Sequence, residues 1–198
     1  MPFISAKARE DAASSGSTKD GYLNPSSIKS GQKVRFTLLA EEPFMFYELW
    51  GNDVNDPQKR KPFRFLEDPT PEDISVKLGN NFVRSLSRDG KGNEPSRIAH
   101  AVPIYNYDLE RVQVFSWTQK TITQALDNIS QLEDYADSMT ECDFYLSRDG
   151  EGTDTRYTVQ AAPKKKAMAK TVDEEWDAAQ DEGFDLSRLI DGGDPFKE

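Results

Sequence analysis

Histidine and cysteine are nearly missing from this chain. Its 198 residues hold one histidine, His100, and one cysteine, Cys142. A single cysteine excludes an internal disulfide framework. Two such donors cannot build a structural zinc cage, which takes about four N or S ligands. A Ser-His-Asp arrangement would have to run through His100, which lies inside a segment that reads as a strand, where a lone histidine is more often structural. No apolar run approaches the roughly 20 residues needed to span a bilayer. The opening residues, MPFISAKARE, lack an apolar core of signal-peptide length. A cytoplasmic protein is expected. No glycine-rich loop ends in the lysine-serine pair of a phosphate-binding loop. Carboxylate pairs such as Glu41-Glu42, Glu67-Asp68 and Glu72-Asp73 fall on loops and helix starts, where acids are solvated. No catalytic constellation is legible, so no enzyme, cofactor or metal is expected.

Negative charge is abundant but unevenly placed. Of the net charge of −10, residues 171–198 carry −8, with ten acids against Arg188 and Lys197, which leaves −2 for residues 1–170. Acidic blocks of this kind are usually disordered interaction tails. Ala161-Ala162-Pro163-Lys164-Lys165-Lys166 reads as a basic hinge in front of it. The partner-binding anchors of the tail are Trp176, Phe184 and the tip Asp194-Pro195-Phe196, with Leu189 and Ile190 between. The length suits one ordinary domain with appendages.

Residues 1–31, rich in Ser, Ala, Lys and Gly, show no sustained period and read as a mobile arm. Residues 32–40 alternate Val34, Phe36 and Leu38 against Lys33, Arg35 and Thr37, the pattern of a half-buried strand with a polar, basic outer face. Residues 43–50 read as an aromatic strand and 63–66 as a third. Thr70-Pro71-Glu72-Asp73 is a helix start, with a capping residue, proline at the first helical position and acids for the dipole. Residues 97–105 and 110–117 read as paired strands. From Thr118 the spacing of Ile122, Ala125, Leu126, Ile129 and Leu132 is that of a helix. Residues 142–148 and 155–162 make a last hairpin over Asp149-Gly150-Glu151-Gly152. LSRDGKG (86–92) and LSRDGEG (146–152) share their turn chemistry. The fold class is mainly β with two helices (α+β), an OB-fold-like small barrel with a flexible N-terminal arm and an acidic C-terminal tail. The divisions are an arm over 1–31, a core over 32–163, a hinge over 164–170 and a tail over 171–198.

Basic and aromatic residues interleave in a way the acidic total conceals. Lys59-Arg60-Lys61-Pro62-Phe63-Arg64-Phe65 places four cations and two aromatics in seven positions. Single strands are held by a cationic groove that tracks phosphates and by aromatics on which bases stack. The phosphate candidates are Lys33, Arg35, Lys59, Arg60, Lys61, Arg64, Arg84, Arg88, Lys91, Arg97, Lys120 and Arg156. The stacking candidates are Tyr47, Trp50, Phe63, Tyr105, Tyr107 and Trp117. Phe44, Phe46 and Trp50 share one face of their strand and Met45, Tyr47 and Leu49 the other. Val112 and Val114 oppose Phe115 and Trp117. Some of these aromatics should therefore face outward.

AVPIYNYDLERVQVFSWTQKTITQAL (101–126), DFYLSRDGEGTDTRYTVQAAPKK (143–165) and KPFRFLEDPTPEDI (61–74) resemble stretches of phage single-stranded DNA-binding proteins, over roughly residues 32–166. The resemblance implies an OB-fold that coats single-stranded DNA during phage replication, recombination and repair in the bacterial host cytoplasm. It also implies an acidic tail that recruits partner enzymes (polymerase, helicase, primase or nuclease) and competes with DNA. Self-association is a further expectation. The T-even relative has a core zinc site that this chain lacks the residues to build. Asp194-Pro195-Phe196 is similar to the tip of bacterial single-strand-binding proteins, whose last Phe carries the terminal carboxylate; here Lys197-Glu198 follow. Two other readings compete: an acidic interaction module that mimics DNA, kept alive by the acids of 127–143, and a metal-dependent nuclease.

Overall fold

The computed structural model describes residues 21–52, 57–133, 135 and 138–197. The chain is mixed α+β with an eight-stranded sheet. The strands are β1 (Tyr22–Leu23), β2 (Gln32–Leu38), β3 (Phe44–Asn52), β4 (Arg60–Phe65), β5 (Arg97–Asn106), β6 (Arg111–Trp117), β7 (Cys142–Asp149) and β8 (Arg156–Pro163). Three α-helices lie among the described residues: α1 (Pro71–Leu78), α2 (Lys120–Ser130) and α3 (Ala169–Asp181). The strand order is β1-β6-β5-β2-β7-β8, with β3 pairing to β4 and β5. The body expected as one core over 32–163 divides into two compact units. Residues through Pro43 together with Ala101–Asp181 form the first; Phe44–His100 and the chain from Glu182 form the second.

In the first unit, Phe36, Val102, Ile104, Phe115, Trp117, Ile122, Phe144 and Leu146 make the core. Phe36 meets Phe115 at 5.3 Å and Phe144 at 5.7 Å between ring centroids. The helical stripe holds for Ile122 and Ile129, but Leu132 lies past the end of α2 and is exposed. The alternation of β2 places Phe36 and Leu38 in the core as expected. Its other face is wet at Lys33 and covered only toward its far end. Thr37 is buried and donates its hydroxyl to the Cys142 carbonyl at 3.2 Å. Strand β6 is likewise buried on both faces, because α3 packs against it. Residues 21–31 are not a loose arm: β1 pairs in parallel with β6, and Leu23 and Ile28 enter the core. The part of the arm before Gly21 lies outside the described residues.

The second unit is built on the β3–β4 hairpin, in which Leu49 opposes Phe63 and Tyr47 opposes Phe65. Leu49, Phe65 and Ile74 form its small core, with Phe63, Leu78 and Phe82 against it. Helix α1 begins with a full capping box: Thr70 Oγ1 accepts from the Asp73 amide at 3.2 Å and Asp73 Oδ2 from the Thr70 amide at 2.9 Å. Strand β4 starts at Arg60, earlier than the apolar pattern indicates, because β3 runs to Asn52 and gives Arg60 a partner. Gly51 is needed for space, since a Cβ there would stand 2.1 Å from Phe82 Cζ.

The acidic C-terminal stretch is folded, contrary to the expectation of a disordered tail. Helix α3 covers residues 169–181 and buries Val172, and a 3-10 turn follows at Leu186–Asp191. Within the second unit that turn packs on β4 and β3, with Leu189 1% exposed. Residues 164–170 are not a free hinge either, since they form the 3-10 turn Lys166–Met168 and the first turn of α3. A few apolar side chains outweigh the surrounding charge, because carboxylates that stay in water cost nothing on packing.

Two measurements follow from these contacts. Leu189→Ala should destabilise the protein by about 2–5 kcal/mol in urea denaturation, as core leucine truncations do. A dangling tail would show no change. Glu41 accepts from Ser138 Oγ at 2.6 Å, Thr140 Oγ1 at 2.6 Å and the Met139 amide at 3.1 Å. Those bonds, the Ser138 bond foremost, hold its carboxyl below the usual range. The resulting stability is present above the unfolded pKa and fades as pH falls through the lower folded value. Glu41→Gln should therefore lower Tm at neutral pH and flatten the acid limb of a Tm–pH profile; parallel profiles would exclude it.

Candidate functional site

The twelve phosphate candidates separate by unit. Lys33, Arg35, Lys120 and Arg156 belong to the first, and Lys59, Arg60, Lys61, Arg64, Arg84, Arg88, Lys91 and Arg97 to the second. In the second unit three arginines converge on one acid. Arg60 Nη2 pairs with Glu94 Oε2 at 2.5 Å, Arg97 pairs with Glu94 Oε1, and Arg84 Nη2 donates to the Glu94 carbonyl at 2.7 Å. Glu94 is the sheltered partner, with its side chain 13% exposed against 53% for Arg60 and 54% for Arg97. Two carboxylate oxygens cannot neutralise three guanidinium groups, so the cluster presents net positive charge and unused N–H donors.

Aromatic surface adjoins this cluster. The Arg60 guanidinium lies 5.1 Å from the Trp50 ring centroid; on the other face of the hairpin, where Phe63 opposes Leu49, Lys61 Nζ lies 5.2 Å from the Phe63 centroid. Trp50 is half-buried and its indole N–H donates to Glu48 Oε1 at 3.0 Å. Phe63 stands edge-on to Phe82 at 4.9 Å. Tyr47 is half-buried on β3. The 86–93 loop closes through the Ser87 amide to the Gly92 carbonyl at 2.8 Å. Asp89 accepts from Ser87 Oγ at 2.6 Å and the Lys91 amide at 3.0 Å, which fixes a turn that leaves Arg88 and Lys91 exposed. Gly90 and Gly150, the equivalent positions of the two LSRDG segments, both have positive φ, 69° and 76°. The turns themselves differ: the first segment closes on itself between Ser87 and Gly92, whereas in the second β7 runs on to Asp149 and pairs with Arg156 of β8.

Several expected site residues are elsewhere. Tyr105, Tyr107 and Trp117 are buried and offer no face to a base. The Trp117 indole N–H donates to Thr123 Oγ1 at 3.0 Å. The signal was present: residues 101–105 (AVPIY) are an unbroken apolar run, the mark of a strand covered on both faces. Arg64 is not a free phosphate contact. Its Nη1 donates to the Leu189 carbonyl at 3.2 Å and its Nε lies 3.5 Å from Glu48 Oε2. Lys77 Nζ holds the same turn, at 3.0 Å from the Ile190 carbonyl and 3.3 Å from Asp191 Oδ1. Lys59, Lys120 and Arg156 are exposed.

The tail tip is folded back and not presented. Pro195 is buried, its carbonyl accepts from the Asp185 amide at 3.0 Å, and Phe196 meets Phe184 at 5.0 Å. Asp194 Oδ1 accepts from the Phe196 amide at 3.2 Å. Trp176 is half-buried on α3.

A scan against protein-family models gives no match, and searches of curated proteins and of solved structures give no significant match. The geometry stands on its own. No group of three or more His, Cys, Asp or Glu able to hold a metal ion occurs among the described residues. Burial, aided by Asp143, pushes the Cys142 thiol up to about 11, so it stays protonated at neutral pH. Burial also lowers the His100 pKa, which favours its neutral form.

The first unit holds a different arrangement. Asp143, 0% exposed, accepts from Arg35 Nε at 2.8 Å, Tyr107 Oη at 2.9 Å and the Lys165 amide at 3.1 Å. Burial, reinforced by that carboxylate, holds the Tyr107 phenol far above its ordinary value. Arg35 also donates to Tyr145 Oη at 3.1 Å and the Pro163 carbonyl at 2.8 Å. Removing one member of a buried pair strands the other. Asp143→Ala should cost about 3–5 kcal/mol in chemical denaturation. A loss below about 1 kcal/mol, the range of a surface pair, would mean that the carboxylate is not buried in solution.

Proposed function

We propose that this chain is a sequence-tolerant single-stranded DNA-binding protein of the phage replication, recombination and repair type, acting in the bacterial host cytoplasm, with a body of OB-fold kind. The observation that carries the reading is the three-arginine cluster on Glu94 beside Trp50. It joins exposed guanidinium donors to an aromatic ring at a surface, the pairing that single-strand binding needs. Arg88 and Lys91 extend the positive surface on a loop held in shape by Asp89. Sequence tolerance follows because every base has a face to stack and every phosphate the same charge.

In this reading the acidic segment both competes with DNA and recruits partner enzymes. Arg64 and Lys77 are occupied by the 186–191 turn, so a strand that reaches β4 has to displace it. Tethering keeps the turn at high effective concentration, so modest contacts suffice. Recruitment falls to the exposed carboxylates of α3, such as Asp173, Glu174 and Asp177, because the tip is packed.

The test is a fluorescence titration with oligo-dT in a Trp176→Phe background, with and without magnesium. Trp50 should be quenched and Trp117 should stay silent. Each phosphate contact on a single strand adds about −0.7 to the slope of log K against log salt. Arg60→Ala, Arg84→Ala and Arg97→Ala together should flatten the slope by about 2. Absence of both quench and binding sinks the reading, and magnesium-dependent cleavage replaces it with the nuclease.

A further inference from the structure

The first unit carries a second basic surface that the arginine cluster does not account for. It centres on the lysine triplet after β8. The Lys165 amide is bonded to buried Asp143 at 3.1 Å, the Pro163 carbonyl accepts from Arg35 at 2.8 Å, and Lys164 Nζ donates to the Thr140 carbonyl at 2.8 Å. The Met168 amide closes the next turn on the Lys165 carbonyl at 2.9 Å. A stretch that composition marks as a hinge is therefore fixed at three successive residues.

What it fixes is positive charge on aromatic rings. Lys165 Nζ lies 4.7 Å from the Tyr107 centroid, and Lys33 Nζ lies 4.7 Å from the Tyr145 centroid. Arg35 is 5.6 Å from the first ring and 5.3 Å from the second. Lys33, Arg35, Lys164, Lys165 and Lys166 thus bring five cations to one neighbourhood, and two carboxylates are bonded among them: Asp143, to Arg35 and the Lys165 amide, and Asp108, whose Oδ2 accepts from the Arg35 amide at 3.4 Å. Lys33, Lys165 and Lys166 are exposed and pair with no acid among the described residues. The carboxylates of α3 lie in the same unit, only a few residues on, and still leave them unpaired. Gathering like charge destabilises a fold unless an anion relieves it.

We infer that Lys33, Lys165 and Lys166 form a second phosphate-tracking surface, for the phosphodiester backbone of a single strand, with Asp143 and Arg35 as positioning residues beneath it. The inference rests on the single-strand reading above. Ammonium groups serve as point-charge phosphate binders without requiring a fixed fork geometry. Ordering three flexible side chains normally costs entropy on binding. Here the backbone is already held and two of the three ammonium groups sit on rings.

The test compares the full-length chain with the variant Lys33→Ala, Lys165→Ala, Lys166→Ala in oligo-dT titrations over a salt series. The variant should bind more weakly at low salt and lose about 2 from the salt slope, at about 0.7 per phosphate. The Trp50 quench at saturation should persist. Lys165→Arg should keep the wild-type slope, because charge and not shape is what counts. Unchanged affinity and slope in the triple variant, with Trp50 still quenched, overturns this surface and leaves the arginine cluster standing. If the variant instead loses only its binding of an added peptide of residues 171–198, the surface takes an acidic peptide and the phosphate assignment falls. If the wild-type chain does not bind oligo-dT at all, both readings fall together.

Discussion

A carboxylate with no access to water governs the first unit. Burying an ion costs several kcal/mol, and the cost is met only when every lone pair finds a donor. Asp143 finds them on three separate stretches: the Arg35 guanidinium from β2, the Tyr107 hydroxyl just past β5, and the Lys165 amide beyond β8. The middle of β2, the end of β5 and the exit of β8 are tied to one point, and the chain that leaves β8 has its course set before α3 begins. The same bonds make Tyr107 a structural phenol, which is why it is not a stacking surface.

The second unit repeats the logic in a wetter setting. Glu94 is sheltered, Arg60 and Arg97 are exposed, Arg84 is half-buried, and one acid organises several cations. Surface ion pairs taken singly contribute little stability. Their value here is geometric. Arg60 is held over Trp50 by Ser85 Oγ at 2.7 Å and by Glu94, so a cation and a ring share one site. In each unit, then, a carboxylate sets where positive charge is displayed.

The C-terminal stretch shows how charge and packing separate along one chain. Its ten acids are real and mostly exposed, and a count of charge alone describes an interaction tail. Leu189, Pro195, Phe184 and Phe196 nevertheless give it apolar surface to bury, and the Arg64 and Lys77 donors satisfy the backbone carbonyls of its turn. Exposed acids and buried anchors are compatible because a short turn can point them in opposite directions.

The elements themselves were largely legible in the sequence. The period-2 pattern of 32–38, the Thr70-Pro71-Glu72-Asp73 start, the 3.6 spacing from Ile122 to Ile129 and the Asp149-Gly150 turn all rest on bonds between near neighbours, and near neighbours are what a sequence records. The enrichment of cations and aromatics over 59–65 was legible for the same reason. Which of those cations stay free was not. Arg60 meets Glu94, Arg64 meets Leu189 and Arg35 meets Asp143 across separations of 34, 125 and 108 residues. Nor does alternation along one strand tell whether its second face meets water or a helix such as α3. Local pattern determined the strands and helices; only the tertiary structure decided which charges and rings remain at the surface, because burial is set by whatever distant segment arrives to cover them.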